Sequence, residues 1–172
     1  LLEDGKTVRV LEAHNGLSGI IANTIEVTGD SDGQTVVRQF DAIWESSLTD
    51  SASKGHPDIE VVTFDSRFHT INEILMVTDK PMIVDGDTGG DANTFEYTVS
   101  KLERAGVSAV IIEDKVFPKR NSLEAGVQQN LQEPEIFAQK IRRGKNIQKS
   151  SEFMIIARIE SCLLYTSDAA DE

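Results

Sequence analysis

Hydrophobic and polar positions repeat along this chain in one order: a short apolar run, a polar cluster, then a stretch with helical spacing. We predict strands at the five apolar runs, which are residues 8–11, 42–44, 82–84, 107–112 and 153–159. Valine and isoleucine dominate these runs, and continuous apolar runs are typical of parallel strands covered on both faces. The pattern therefore predicts an α/β fold with a parallel sheet and right-handed crossovers.

The stretches between the strands have amphipathic helical spacing. The apolar faces that we predict are Ile71, Ile74 and Leu75 in one helix and Phe95, Val99 and Leu102 in the next. Gly106 is placed to end the second of these helices, and Pro134 is placed to begin another. Residues 26–39 break the repeat, and we expect a surface hairpin there with its turn at Asp32 and Gly33.

Composition and charge limit the class of protein. A chain of 172 residues with 39% hydrophobic residues suits one globular domain. The net charge of −12 comes without a basic stripe, which argues against a nucleic-acid partner. The apolar runs are too short to span a membrane, so we expect no membrane partner. Cys162 is the single cysteine, which excludes an internal disulfide and points to a reducing, cytoplasmic location.

Each predicted strand runs into polar residues. These clusters are residues 12–16, 45–47, 85–90 and 113–115, with Arg158 and Glu160 at the fifth strand. Parallel α/β folds carry their sites at the carboxyl ends of the strands, whether the sheet is open or closed into a barrel. Five such clusters in succession predict an active site along this edge of the sheet.

Asp85 and Asp87 are the sharpest local signal. Two carboxylates two residues apart at a strand end suit a hard divalent cation, and Glu113 after the next strand can add a further carboxylate. The alternative is a polar loop in which an aspartate caps the following helix. A haloacid-dehalogenase phosphatase also places two aspartates after a strand, but here Thr88 directly follows the second one, which fits that family poorly.

Phosphate-binding chemistry follows the fourth strand. Lys119, Arg120, Asn121 and Ser122 supply positive charge and hydrogen-bond donors suited to a phosphoryl group, with a polar surface loop as the alternative. Trp44 at the end of the second strand is either a core residue or a platform for a ligand.

Taken together, these motifs resemble the phosphoenolpyruvate mutase family of the isocitrate lyase superfamily. The matching segments are residues 12–18 (EAHNGLS), Trp44 with Ser46, 85–89 (DGDTG), 113–122 (EDKVFPKRNS) and 156–160 (IARIE). The resemblance covers about residues 8–161. It implies a (β/α)8 TIM-type barrel, of which about the first five βα units are present, with Mg²⁺ as cofactor. The implied reaction interconverts phosphoenolpyruvate and phosphonopyruvate, small-molecule substrates of phosphonate biosynthesis.

The resemblance also implies roles for individual residues. Asp85 resembles the direct Mg²⁺ ligand, and Asp58, Asp87 and Glu113 contribute through water. The implied catalytic residues, which surround the phosphoryl group, are Asp58, Lys119, Asn121 and Arg158. The implied substrate-binding residues are Trp44, Ser46, Ser47 and Leu48 for the pyruvyl carboxylate and Ser122 in the loop that closes over the phosphoryl group. Whether Asp58 is transiently phosphorylated or only positions the group stays open.

Differences from family patterns sharpen the choice of reaction. Glu45 and Ser47 stand where family members often carry glycine, which adds bulk to the carboxylate cradle. Residues 115–122 contain no cysteine, which argues against cleavage of isocitrate or methylisocitrate, since the lyases carry a catalytic cysteine there. Asn121 favours the mutase over the related phosphonopyruvate hydrolase. Hydrolase activity, other lyase activity and an inactive binding fragment are the alternatives.

The tail at residues 162–172 resembles translated sequencing-adapter sequence and no segment of a barrel. We therefore expect residues 1–161 to be the N-terminal part of a longer barrel that forms a homo-oligomer at full length. Because a barrel closes through its last strand, we expect the chain alone to be neither an active enzyme nor a well-behaved monomer.

Overall fold

A parallel sheet with helices packed on it forms the protein. The computed structural model describes residue 5 and residues 7–31, 33–121 and 129–160. In chain order the elements are β1 (Val10–Ala13), α1 (Gly16–Thr24), β2 (Glu26–Ser31), β3 (Gln34–Gln39), β4 (Ala42–Glu45), α2 (Ser47–Ser53), α3 (Phe64–Leu75), β5 (Met82–Asp85), α4 (Ala92–Ala105), β6 (Ala109–Glu113), α5 (Pro134–Ile147) and β7 (Met154–Arg158). Among the described residues, no helix has the length and apolar character needed to cross a membrane.

The order of strands in the sheet identifies the architecture. Five parallel strands lie side by side in the order β1-β4-β5-β6-β7, so each strand of this sheet neighbours the next one along the chain. In an open doubly wound sheet, successive strands are added first on one side of the starting strand and then on the other. In a barrel, each new strand is added on the same side of the previous one. The α/β prediction is confirmed, and the winding is that of a (β/α)8 barrel.

Local sequence signals begin and end the helices, and two of them, Gly106 and Pro134, are as predicted. Asp91 caps α4, since its side chain accepts hydrogen bonds from Asn93 N at 2.8 Å and Thr94 N at 3.0 Å. Gly106 ends α4 in the left-handed region at φ 90°, where a side chain is disfavoured. Pro134 begins α5. These three positions fix both ends of α4 and the start of α5, two helices that cover the sheet.

The core lies between the sheet and its helices. The α4 face predicted from Phe95, Val99 and Leu102 is fully buried. A Cβ at Gly144 of α5 would lie 2.5 Å from Phe95 Cε1 and 2.9 Å from Ile155 Cδ1. Glycine is therefore required there, because any larger residue would push α5 away from α4 and β7.

The predicted hairpin is confirmed. Strands β2 and β3 pair antiparallel from Glu26 with Gln39 to Ser31 with Gln34. Asp32 of the predicted turn lies outside the described residues. Because the hairpin joins the end of α1 to the start of β4, it lies at the amino-terminal edge of the sheet. The strand ends that carry the polar clusters are at the opposite edge.

The strand bounds differ from those predicted, most of all at β1. Residues 8–11 were predicted, but β1 runs to Ala13, which pairs with Glu45 of β4. Likewise, Asp85 and Glu113 end β5 and β6 instead of following them. The parallel ladder continues into the charged residues because neighbouring strands supply hydrogen-bond partners there, which an apolar run cannot reveal.

Candidate active site

Charged residues from neighbouring strands meet at the carboxyl edge of the sheet. Glu45, Asp85, Glu113 and Arg158 are the last residues of β4, β5, β6 and β7. The three acids are at most 5% exposed. Charged groups are rarely buried to this extent without partners, so their contacts define the site.

The turn after β5 fixes the positions of Asp85 and Asp87. A Cβ at Gly86 would lie 2.9 Å from side-chain atoms of both Val110 and Ile112, so β6 packs directly against this backbone. Asp87 has a positive φ of 54°, and its N–H donates to Asp85 Oδ1 at 3.0 Å. Strained backbone of this kind persists only where the surroundings enforce it, and it occurs frequently at functional sites.

The ammonium group of Lys119 lies among the carboxylates. Its Nζ is 2.7 Å from Asp87 Oδ1, 3.0 Å from Asp58 Oδ1 and 3.9 Å from Glu113 Oε1. It also donates to Ser47 Oγ at 3.1 Å. Burial alone would lower the pKa of Lys119, but the nearby carboxylates outweigh burial and raise it. Lys119 is therefore a buried positive charge in the acidic cluster.

Arg67 of α3 lies beneath this cluster. Its Nη1 donates to Asp87 Oδ2 at 2.7 Å, and its Nη2 donates to Glu45 Oε2 at 2.6 Å. Burial would lower the pKa of Arg67, yet these two acids outweigh burial and raise it.

Burial raises the pKa of Glu45 to about 7, against the opposing effect of Arg67. Burial also acts to raise the pKa of Asp87, but the positive charges of Arg67 and Lys119 outweigh burial and lower this pKa. Asp87 is therefore ionised at neutral pH, whereas Glu45 titrates near neutrality.

Arg158 and Asn121 lie nearer the solvent. Arg158 pairs with Glu113 and with Glu160, and its Nη1 lies 3.9 Å from Asp85 Oδ2. Asn121 Nδ2 donates to an oxygen of Asp58 at 3.2 Å. These groups place donors and positive charge above the buried acids.

A cavity of about 330 Å³ opens above the cluster, a volume in the range of small-molecule sites. Its lining residues are Trp44, Ser46, Ser47, Leu48, Asp58, Asp85, Lys115, Lys119, Asn121, Arg158 and Glu160. The structure therefore brings nine of the twelve predicted site residues to one cavity. Asp87 and Glu113 contact Lys119 beside it, and Ser122 lies outside the described residues.

The donor set suits a hard cation. Asp85, Asp87 and Glu113 offer carboxylate oxygens, which Mg²⁺ prefers, and the buried Glu113 Oε1 has no hydrogen-bond partner. No group of three or more His, Cys, Asp or Glu side chains within the described ranges is arranged to hold a metal ion. Lys119 Nζ lies between the carboxylates in this arrangement. These residues fit Mg²⁺ by charge and ligand type.

Comparison with known proteins gives the family. The sequence matches the family model described as phosphoenolpyruvate phosphomutase over residues 1–172. The chain belongs to the phosphoenolpyruvate phosphomutase family. The phosphoenolpyruvate phosphomutase of Tetrahymena pyriformis is 36% identical over 153 residues, which are 88% of this chain and 47% of that protein. The phosphonopyruvate hydrolase of Variovorax is 32% identical over 94% of this chain and 52% of that protein.

Solved structures of the family have the same fold. The phosphoenolpyruvate phosphomutase of Streptomyces platensis superposes with a TM-score of 0.79 at 36% identity, over 92% of this chain and 50% of that one. A phosphonopyruvate hydrolase in complex with oxalate and Mg²⁺ gives 0.75 at 30% identity, over 93% of this chain and 50% of that one. The chain therefore spans about half the length of the relatives that it matches.

Two site residues were missed by sequence reasoning. Arg67 precedes Ile71 by four residues and Ile74 by seven, so helical spacing alone could have placed it on the buried face of α3. Glu60 accepts hydrogen bonds from Thr88 N at 3.0 Å and Lys119 N at 2.8 Å, and so ties the loop after β5 to the backbone of Lys119. No sequence signal marks Glu60.

Glu45 has a different place from the one that sequence reasoning gave it. It was expected to add bulk to the carboxylate cradle, but it does not line the cavity and pairs with Arg67 below it. The cradle retains Ser46 and Ser47 at the cavity wall. The larger residue at position 45 is therefore a partner for a buried arginine.

Proposed function

We propose that this chain is part of a Mg²⁺-dependent phosphoenolpyruvate mutase. The reaction breaks the bond between phosphorus and the enol oxygen of phosphoenolpyruvate and forms a bond between phosphorus and the methylene carbon, which gives phosphonopyruvate. The observation that supports it most is the convergence of Asp58, Lys119, Asn121 and Arg158 on one cavity beside the acids of β5 and β6.

Two regions of the cavity would bind the two parts of the substrate, the pyruvyl part and the phosphoryl group. Ser46, Ser47 and Leu48 form one wall. There the two serine hydroxyls and the backbone of this segment would meet the carboxylate of the substrate. Bound at Asp85 with support from Asp87 and Glu113, Mg²⁺ would stabilise negative charge on the pyruvyl oxygens. This division holds the pyruvyl part fixed while the phosphoryl group moves.

The phosphoryl group would lie near Lys119, Asn121 and Arg158. Transfer of a phosphoryl group passes through a loose arrangement with charge spread over its oxygens, so fixed positive charges and donors stabilise it. Asp58 faces Lys119 at 3.0 Å and Asn121 at 3.2 Å, which orients both donors. Water must be excluded during the transfer, since it competes with the carbon as acceptor.

Phosphorus NMR on phosphonopyruvate tests this proposal in the full-length protein. A mutase gives phosphoenolpyruvate, and the Asp85→Asn variant, which lacks the proposed ligand charge, should give very little of it. Asp91→Ala, at the start of α4 and away from the cavity, is the matched control that should keep wild-type turnover. Accumulation of inorganic phosphate without phosphoenolpyruvate would contradict mutase activity.

Phosphonopyruvate hydrolysis is the second candidate. It is favoured by the Variovorax relative, which bears that name and matches 94% of this chain. The presence of Asn121 beside Asp58 favours the mutase, because an amide donor there can hold the phosphoryl group away from water. Inorganic phosphate and pyruvate in equal amounts would establish the hydrolase instead.

A further inference from the structure

Arg67 occupies a position that the proposed reaction does not explain. It is 4% exposed and does not line the cavity, so it cannot reach a substrate there. Its guanidinium nevertheless bridges two acids, Asp87 and Glu45, through two different nitrogens. A planar fork of this kind fixes the orientation of both carboxylates.

The two oxygens of Asp87 have different partners. Arg67 holds Oδ2 at 2.7 Å from below, while Oδ1 faces Lys119 Nζ at 2.7 Å on the side of the cavity. The backbone of Asp87 is also fixed, since its φ of 54° belongs to a turn that packs against β6. With Oδ2 held, Asp87 has only Oδ1 left to face Lys119, a residue of the cavity wall.

Arg67 is itself held in place by a second layer of polar residues. Its Nε lies 3.9 Å from Asp50 Oδ2. Asp50 in turn accepts a hydrogen bond from Thr70 at 2.8 Å and pairs with Lys54. Ile71 and Ile74 continue the same buried face of α3 toward the core. The arginine therefore has little freedom to move away from Asp87.

We propose that Arg67 is a positioning residue for the divalent-cation site. By holding Asp87 Oδ2 it directs Oδ1 toward the cation, and Glu45 holds the other half of the guanidinium fork. The inference rests on the proposed function for the presence of that cation. It assigns to this arginine a role that acts through Asp87 and involves no contact with substrate.

The competing explanation is that Arg67 only neutralises the buried Glu45. Two kinds of variant separate the explanations in the full-length protein. The double variant Arg67→Met with Glu45→Gln removes one charge of each sign, so no acid at position 45 is left without a partner. Arg67→Lys keeps the charge but loses the planar fork, and Glu45→Gln alone keeps the contact between Arg67 and Asp87.

Mg²⁺ affinity by isothermal titration calorimetry and folding by urea denaturation are measured on each variant. We expect the double variant and Arg67→Lys to bind Mg²⁺ about 10–100-fold more weakly, the usual effect of losing a residue that orients a ligand. We expect Glu45→Gln to bind Mg²⁺ within about threefold of the wild type. Urea midpoints show that each titrated variant is folded, so weaker binding is not caused by unfolding.

The role of Arg67 is overturned if the double variant binds Mg²⁺ as tightly as the wild type. It is also overturned if Glu45→Gln loses as much affinity as the double variant, or if the wild type binds no Mg²⁺. Weaker binding in the double variant together with phosphate as the product in phosphorus NMR would support the role of Arg67 and reject the mutase. The two proposals therefore fail separately.

Discussion

The buried layer beneath the cavity, which we call the floor, and the rim of the cavity use the same kinds of side chain in different surroundings. The side chains of the floor (Glu45, Arg67 and Asp87) are at most 9% exposed, whereas the Arg158 side chain of the rim (Arg158 and Asn121) is 31% exposed. In the floor, guanidinium and carboxylates bond to each other through short contacts. In the rim, Asn121 and Arg158 line the cavity and can meet a ligand directly.

Burial decides what each region contributes. Removing one member of a buried ion pair leaves an uncompensated charge in the interior, which is strongly destabilising. Pairs near the surface are screened by water and contribute little to folding. Loss of Arg67 from the floor should therefore reduce both stability and cation binding, and loss of Asn121 from the rim should reduce turnover alone.

The largest expected effect is in the floor. Arg67→Met alone leaves Glu45 and Asp87 buried without their partner, so the free energy of unfolding should fall by about 3–5 kcal/mol. Urea denaturation of the full-length protein measures this change, with Asn121→Ala as the control from the rim. Equal losses in the two variants would remove the distinction between floor and rim.

The rim should show its effect in kinetics. Asn121→Ala removes a donor from the proposed phosphoryl site, and kcat should fall about 100-fold, as it does when one preorganised donor is lost. Mg²⁺ affinity and the urea midpoint should stay near those of the wild type, because the proposed ligands Asp85, Asp87 and Glu113 are unchanged. Weaker Mg²⁺ binding with normal turnover at saturating metal would contradict this assignment.

The pH dependence of stability separates two acids of the floor. The pKa of Glu45 rises from 4.5 to about 7 on folding, so the folded state binds its proton more tightly. This contribution is complete below pH 4.5 and is lost as the pH rises through 7. Stability of the metal-free protein should therefore fall across this window, by on the order of 1–3 kcal/mol.

The variant Glu45→Gln should flatten that slope. Asp87 acts in the other direction, because its lowered pKa contributes stability above pH 3.8 that is lost only as the pH falls through its folded pKa. Thermal melting of the wild type and Glu45→Gln in chelator between pH 4 and pH 8 measures the slope. An unchanged slope in Glu45→Gln would assign the titration to another group.

The smallest effect should come from outside both regions. Asp91→Ala removes the side-chain cap of α4 and should lower the free energy of unfolding by about 1 kcal/mol. Mg²⁺ affinity and kcat should not change, since the helix start does not contact the cavity. A change in either would show that α4 couples to the site.

Sequence patterns predicted those parts of the site that are local in the chain. Asp85, Asp87 and Glu113 were found because each follows an apolar run, and parallel pairing of β5 and β6 then brings them together. Arg67 was missed because its contact with Asp87 joins residues twenty positions apart through packing of α3. The position of Lys119 among the acids likewise depends on the path of a loop, which no periodicity reveals.

The hairpin of β2 and β3 offers a place to attach probes. It projects at the amino edge of the sheet, with Asp30 Oδ1 accepting a hydrogen bond from Gly33 N at 2.9 Å to hold its turn. The cavity opens at the other end of the strands, so a dye or surface tether at this turn would leave ligand entry unobstructed. A cysteine introduced at Thr35, on the exposed strand β3, would provide an attachment point, with Cys162 replaced by serine. Fluorescence anisotropy or immobilised binding assays could then follow ligand capture with the reporter kept away from the chemistry.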